Sequence, residues 1–302
     1  SAPIEACRCQ AGGLRPSMMN PESQRPVLVE VPKIDTHCHV FDPLRFPYQP
    51  DVVYRPAGGE IAPASYLRQL MDSHGIRHAL LVQPNSGYGA DNRCLLDAIA
   101  TGGNRFKGIA IADGSCSDAE LQELKARGVV GIAHNFALLG ADGYPGHEKF
   151  WQRLAAAGLL VQIQVRDDQI TGLAPAIRNS SARFLIDHCG RPGLRVGLQG
   201  AGFSALLALA ETGRCYIKLS GFDKFSALEY PYLDADRHVA EILAAYGPGH
   251  CLWASDWPHL RARQRLDIGT LLKLFEQQVP DPVARQQILF DTPFQLLGFQ
   301  RD

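Results

Sequence analysis

The sequence has almost no net charge: 30 Lys and Arg stand against 31 Asp and Glu, a formal −1 at pH 7. So balanced a chain presents no field to a polyanion, and nucleic acid is not expected as a partner. It also lacks any apolar run near the roughly 18 residues of a membrane span, so no membrane association is expected. C-x-x-C pairs are missing. The eight cysteines, Cys7, Cys9, Cys38, Cys94, Cys116, Cys189, Cys215 and Cys251, are scattered, which excludes a zinc ribbon by spacing. Several lie in or beside apolar runs, so the expectation is reduced thiols in a cytoplasmic protein, not a disulfide framework. No G-x-G-x-x-G or Walker sequence occurs either, which removes the usual phosphate turn of a doubly wound open sheet.

What is present is ordinary for a globular enzyme: 302 residues, 46% hydrophobic and 20% charged. Residues 1–30 stand apart, rich in Pro, Gly, Ser and Gln, without apolar periodicity and without the continuous apolar core of a secretory signal. They read as a flexible N-terminal arm, because such composition cannot repay the entropy of ordering. An arm laid over a neighbouring subunit of a homo-oligomer is the alternative.

From residue 31 to 302 short apolar runs alternate with longer amphipathic segments. The runs are "KIDTHCHVF", "HALLVQP", "FKGIAIAD", "GVVGIAHNF", "LLVQIQV", "ARFLIDHC", "CYIKLSG" and "CLWASDWP". Each is nearly unbroken, as expected of parallel strands buried on both faces. Among the helical segments between them, "SDAELQELKARG" opens with Ser117 three residues before Glu120, a capping box, and closes on Gly128. Eight strands alternating with helices predict an α/β fold, a single-domain (β/α)8 TIM barrel, typically about 250 residues long.

A barrel places chemistry at the C-terminal ends of its strands. The polar residues there are His37 and His39, then Asn85 and Ser86, Asp113, His134 and Asn135, Gln164 and Arg166. His188 and Arg191, then Lys218, Ser220 and Lys224, and finally Asp256 and His259 follow on the last three strands. Taken singly, each reads equally well as a strand-end cap. Convergence of three histidines and an aspartate on one rim does not, because buried polar groups cost about 1–3 kcal/mol each unless paired.

In their order, "DTHCHVFDP", "IDHCGRP" and "ASDWPH" resemble the amidohydrolase superfamily, and within it the branch of the 2-pyrone-4,6-dicarboxylate lactonases and sugar lactonases. The similarity runs from about Lys33 to Phe299. Superfamily metal sites use His-x-His on strand one, Lys or Glu on strand four, histidines on strands five and six, and Asp on strand eight. Here strand four ends in His134 and strand five offers Gln164, so a metal shell would shrink to His37, His39, His188 and Asp256. The branch resembled has members that hydrolyse without a required metal, which implies a metal-independent lactonase with no cofactor; one Zn or Mn ion is the alternative.

The resemblance implies that Asp256 activates water while His37, His39 and His188 polarise the lactone carbonyl. Substrate binding is expected from Ser86, His134, Gln164, Arg166, Arg191 and Lys224. His134 stands where these lactonases carry an arginine that grips a substrate carboxylate, and imidazole cannot copy a bidentate guanidinium. The small-molecule substrate is therefore expected to be a lactone with one carboxylate or with hydroxyls. A mononuclear metal-dependent amidohydrolase, a nonoxidative decarboxylase and a lactone isomerase are the alternatives within the superfamily, and a binding protein without turnover is the alternative outside it.

Overall fold

Eight parallel strands lie in the sheet in chain order, each hydrogen-bonded to the next: β1 Lys33–Cys38, β2 Ile76–Val82, β3 Phe106–Ala110, β4 Val129–Asn135, β5 Leu160–Gln164, β6 Phe184–Ile186, β7 Cys215–Leu219 and β8 Cys251–Trp253. The structure is a computed structural model that describes Leu28 and residues 31–300. The expected N-terminal arm, Leu28 apart, lies outside the described residues. The ring closes where the chain beyond β8 meets β1: Asp256 N–H donates to the His37 carbonyl (2.9 Å) and His39 N–H to the Trp257 carbonyl (2.8 Å). Thr36 Oγ1 adds a bond to the Trp253 carbonyl at 2.8 Å. This is the expected barrel, in one domain.

Period two sorts the side chains of each strand into two environments. One set points inward, where Ile34, Leu80, Ile109, Leu160, Leu185 and Leu252 fill the barrel. The other points outward to the helices, where a larger cluster forms around residues such as Trp151, Phe184, Leu206 and Phe275. Leu296, Leu297 and Phe299 join the inner set, so the C-terminal helix Thr292–Leu297 and the residues after it stopper the end opposite the strand C-termini. Gly131 of β4 has to be glycine: a Cβ there would stand 2.7 Å from the Leu160 carbonyl oxygen.

The Ser117 capping box forms as expected, with Ser117 Oγ accepting from Glu120 N–H and the Glu120 carboxylate accepting from Ser117 N–H. The helix Gln169–Asn179 gives a poorer signal in the sequence, because Gly172 and Pro175 interrupt its apolar period. Packing of Ile170, Leu173 and Ile177 holds it in place. Among the described residues all cysteines are free, and no helix is long and apolar enough to cross a membrane.

Candidate active site

The strand C-termini surround a cavity of about 610 Å³, a size suited to a small organic ligand. At its floor one oxygen of Asp256 faces three imidazoles: Oδ1 lies 3.6 Å from His37 Nε2, 3.6 Å from His39 Nε2 and 3.9 Å from His188 Nε2. Asp256 sits just past β8 at φ 58, a left-handed conformation that turns its carboxylate back over the barrel. The four expected catalytic residues are thus brought together.

Each imidazole is held from behind. His39 Nδ1 lies 2.7 Å from the Val82 carbonyl, which only accepts, so Nδ1 carries a proton. His188 Nδ1 meets Ser220 Oγ at 3.0 Å. Gly221, at φ +63, makes room for that ring, since a Cβ would come within 2.4 Å of His188 Nδ1. His37 Nδ1 faces both Asp187 Oδ1 and Lys218 Nζ, each at 3.2 Å. Asp35 completes the scaffold by accepting from the N–H groups of His37 (3.2 Å) and Ser255 (3.0 Å), which locks the two histidine- and aspartate-bearing segments together.

Burial would raise the Asp256 pKa, yet His188 and Lys224 outweigh it and hold the carboxyl well below the usual range. Asp256 is therefore an ionised acceptor at neutral pH. Desolvation does not lift it toward neutrality, as burial taken alone suggests. Burial dominates the opposite way at the imidazoles: His37 is pushed down to about 3, and His188 is lowered as well. The His37 ring is therefore neutral at physiological pH.

Arg166 is not delivered to the cavity, and His134 reaches the cavity wall with its ring turned away from it. The His134 ring points outward from β4 and stacks on Tyr144 at 4.4 Å, while Trp151 Nε1 donates to its Nδ1 at 3.0 Å. Its neighbours Ala133 and Asn135 line the cavity, one position away on the other face of the strand. Arg166 lies beyond the end of β5, where period two no longer applies; it is exposed and its N–H bonds Gln169 Oε1. Ser86, Gln164, Arg191 and Lys224 do line the cavity. Lys224 Nζ stands 3.0 Å from Asp223 Oδ2 and 3.6 Å from Asp256 Oδ2. The buried Nε of Arg191 has no hydrogen-bond partner among the described residues. Tyr48 donates to the Pro56 carbonyl and Tyr54 to the Glu60 carboxylate.

Asp187 escapes the sequence reading, and Lys218 enters it only as a polar strand-end residue. Asp187 and Lys218 form a fully buried pair at 3.0 Å, and Gln162 bonds both of them. A charged residue inside an apolar run was the available signal, since it must find a partner. Arg261 and Arg263 on the β8 loop also line the cavity, and nothing in the sequence around them announces it.

The ligand atoms of His37, His39 and Asp256, and also those of His37, Asp187 and His188, lie within 4.8 Å of one another, so either group could hold a metal ion. Their surroundings oppose a dication. Lys218 stands against His37 Nδ1 and Lys224 faces Asp256, while β5 offers Gln164 to the cavity where a metal shell would take a histidine, with Gln162 already bonded to Asp187 and Lys218.

Fold and site together define a hydrolytic barrel. The amidohydrolase family model matches residues 34–299, and the chain belongs to that family. It is 33% identical to a 4-sulfomuconolactone hydrolase of Rhizobium radiobacter, over 90% of this chain and 93% of the relative. It is 29% identical to a 2-pyrone-4,6-dicarboxylate hydrolase of Comamonas testosteroni, over 87% and 89%. Among solved structures, a probable 2-pyrone-4,6-dicarboxylic acid hydrolase from Acinetobacter baumannii with citric acid bound superposes with a TM-score of 0.79 at 30% identity. That match covers 88% of this chain and 99% of the other.

Proposed function

We propose that the chain is a lactonase that opens the ring of a lactone bearing an acid group, and that it needs no metal ion to do so. The observation that carries this is the single ionised oxygen of Asp256 ringed by three Nε2 atoms. Asp256 takes a proton from water as the water oxygen attacks the lactone carbonyl carbon. The Nε2–H groups of imidazoles other than His39, whose proton is on Nδ1, bond the oxyanion that develops. As the ring C–O bond breaks, Asp256 returns the proton to the departing ring oxygen, and the new carboxylic acid ionises into solvent. The hydrolases named among the relatives act on lactones of this acidic kind.

The cations on the β6–β8 side of the cavity support an anionic substrate. Arg191, Arg261 and Arg263 line that side, and Arg191 Nε is buried with no partner. Guanidinium binds carboxylate or sulfonate oxygens in its plane, so Arg191 is the anchor for the acid group. Gln164, Ser86, Asn85 and Asn135 bound the neutral part of the ring. With no guanidinium on β4, a lactone with one acid group fits this set better than a dicarboxylate. Independence of metal is supported by the ammonium groups of Lys218 and Lys224 beside the ligand atoms.

The test is a lactone panel followed by acid release in weak buffer, with and without chelator. Mono-acidic lactones should turn over at a rate the chelator leaves unchanged. Ring rearrangement without acid release would make the enzyme an isomerase. Activity abolished by the chelator and restored by Zn²⁺ or Mn²⁺ would overturn the metal-free reading, and efficient turnover of 2-pyrone-4,6-dicarboxylate would overturn the single-acid preference.

A further inference from the structure

Lys218, on β7, is fully buried beside His37 Nδ1. An ammonium group has three N–H donors and no lone pair. Its nitrogen has three acceptors within reach: Gln162 Oε1 at 2.6 Å, Asp187 Oδ1 at 3.0 Å and His37 Nδ1 at 3.2 Å. Gln162 Nε2 in turn donates to Asp187 Oδ2 at 2.9 Å, which fixes the direction of that amide.

His37 Nδ1 is equally distant from Asp187 Oδ1, so its proton has two assignments. With a proton on Nδ1 donated to Asp187, one ammonium N–H of Lys218 is left without a partner in a site closed to water. That omission costs about 1–3 kcal/mol, more for a charged donor. With a lone pair on Nδ1, all three donors of Lys218 and both oxygens of Asp187 are satisfied at once, and the ring proton sits on Nε2.

We propose that Lys218 is a positioning residue that holds His37 as its Nε2–H tautomer, so that His37 donates to the lactone oxygen and offers no lone pair to a metal. The catalytic part of this assignment rests on the lactonase reading above. The two histidines of the His-x-His are then unequal. His39 gives its Nδ1 proton to the Val82 carbonyl and turns a bare Nε2 to the cavity, beside Asp256 Oδ1 at 3.6 Å. His39 and Asp256 together present two acceptors for the two protons of a water molecule. His37 presents the donor for the oxygen that this water attacks.

Nitrogen-15 labelling of the histidines in the full chain, read through two-bond nitrogen–proton couplings, tests the assignment without any substrate. His37 signals are identified by their loss in His37→Asn. The expected wild-type spectrum has Nδ1 bare and Nε2 protonated on His37, and the reverse on His39. Lys218→Met should move the His37 proton to Nδ1, lower kcat on the best panel lactone by ~10²–10³-fold, the effect of losing an oxyanion donor, and change KM much less. Binding of Zn²⁺ alone, followed by calorimetry, should strengthen in that variant. An Nδ1-protonated His37 in the wild type overturns the proposal, and so does a Lys218→Met protein with unchanged tautomer and kcat. The wild-type spectrum decides the tautomer even if the variant fails to fold. A wild-type protein with Nε2–H on His37 that opens no lactone would sink the lactonase reading while upholding the role of Lys218.

Discussion

The two walls of the cavity differ in kind. The β6–β8 wall carries His188, Arg191, Lys224, Asp256, Arg261 and Arg263, whereas the β2–β4 wall offers Asn85, Ser86, Ala133, Asn135 and Leu138. One wall is crowded with charge and the other is amide and apolar. Field strength is therefore graded across the bound ring. The acid group and the developing oxyanion belong at the charged wall, and the uncharged ring edge faces the amides. The same contrast divides two buried strand-end histidines. His37 sits among a carboxylate, an amide and an ammonium, while His134 sits among Tyr144, Phe150 and Trp151.

Asp256→Asn should show the largest effect on the charged wall. Its side chain keeps its size but cannot take a proton, so kcat should fall ~10²–10⁴-fold with the fold intact by circular dichroism. A loss under tenfold would remove Asp256 from the role of base. Arg191→Met comes next: KM for an acidic lactone should rise ~10–100-fold, as expected for a lost charge-assisted bond of about 1.5–3 kcal/mol, with kcat less affected. Turnover of a neutral lactone by that variant should stay near wild type, and an equal loss on both substrates would break the assignment of the wall. On the amide wall Asn135→Ala should change kcat/KM by less than ~10-fold, in line with one neutral hydrogen bond.

His134→Phe sharpens the comparison between the two histidines. It should leave kcat within ~2-fold while lowering the melting temperature, because the Trp151 N–H loses its acceptor at a cost of about 1–3 kcal/mol. Acid should act on both regions. Burial lowers His37 to about 3 and His134 to about 4, against 6.5 for a free imidazole. Above 6.5 neither the folded nor the unfolded chain holds these protons, so this contribution to stability is complete. As pH falls from 6.5 toward 4 the unfolded chain binds protons that the folded chain refuses, and stability drops by up to ~1.4 kcal/mol per pH unit for each group. Thermal scans from pH 7 to 4.5 should show that decline, and His134→Phe should make it shallower.

Much of the molecule is legible before any coordinates. The eight unbroken apolar runs announce strands buried on both faces, and the regular helices between them leave a barrel as the economical closure. The quartet on the cavity floor is legible for a related reason: His37, His39, His188 and Asp256 each end or follow a strand, and a barrel gathers strand ends on one rim. His134 shows the limit of that argument. Ending a strand does not settle where a ring points: His134 lies in the cavity wall beside Ala133 and Asn135, yet its ring stacks on Tyr144. Arg166 shows another limit, because alternation stops where the strand stops, at Gln164.

The sequence by itself determined the alternation of strands and helices, the closing rim and the residue types that carry the chemistry, because local propensity and hydrophobic period are written along the chain. Only the tertiary structure decided the partners. Asp187 follows β6 and Lys218 lies on β7, and their 3.0 Å approach beside His37 follows from the register of β6 against β7. The Arg191 Nε without a partner among the described residues and the turn at Asp256, φ 58, are likewise products of closure. Side-chain direction, proton placement and pKa depend on what stands within a few ångströms in space, and neighbours in space are chosen by the fold as a whole.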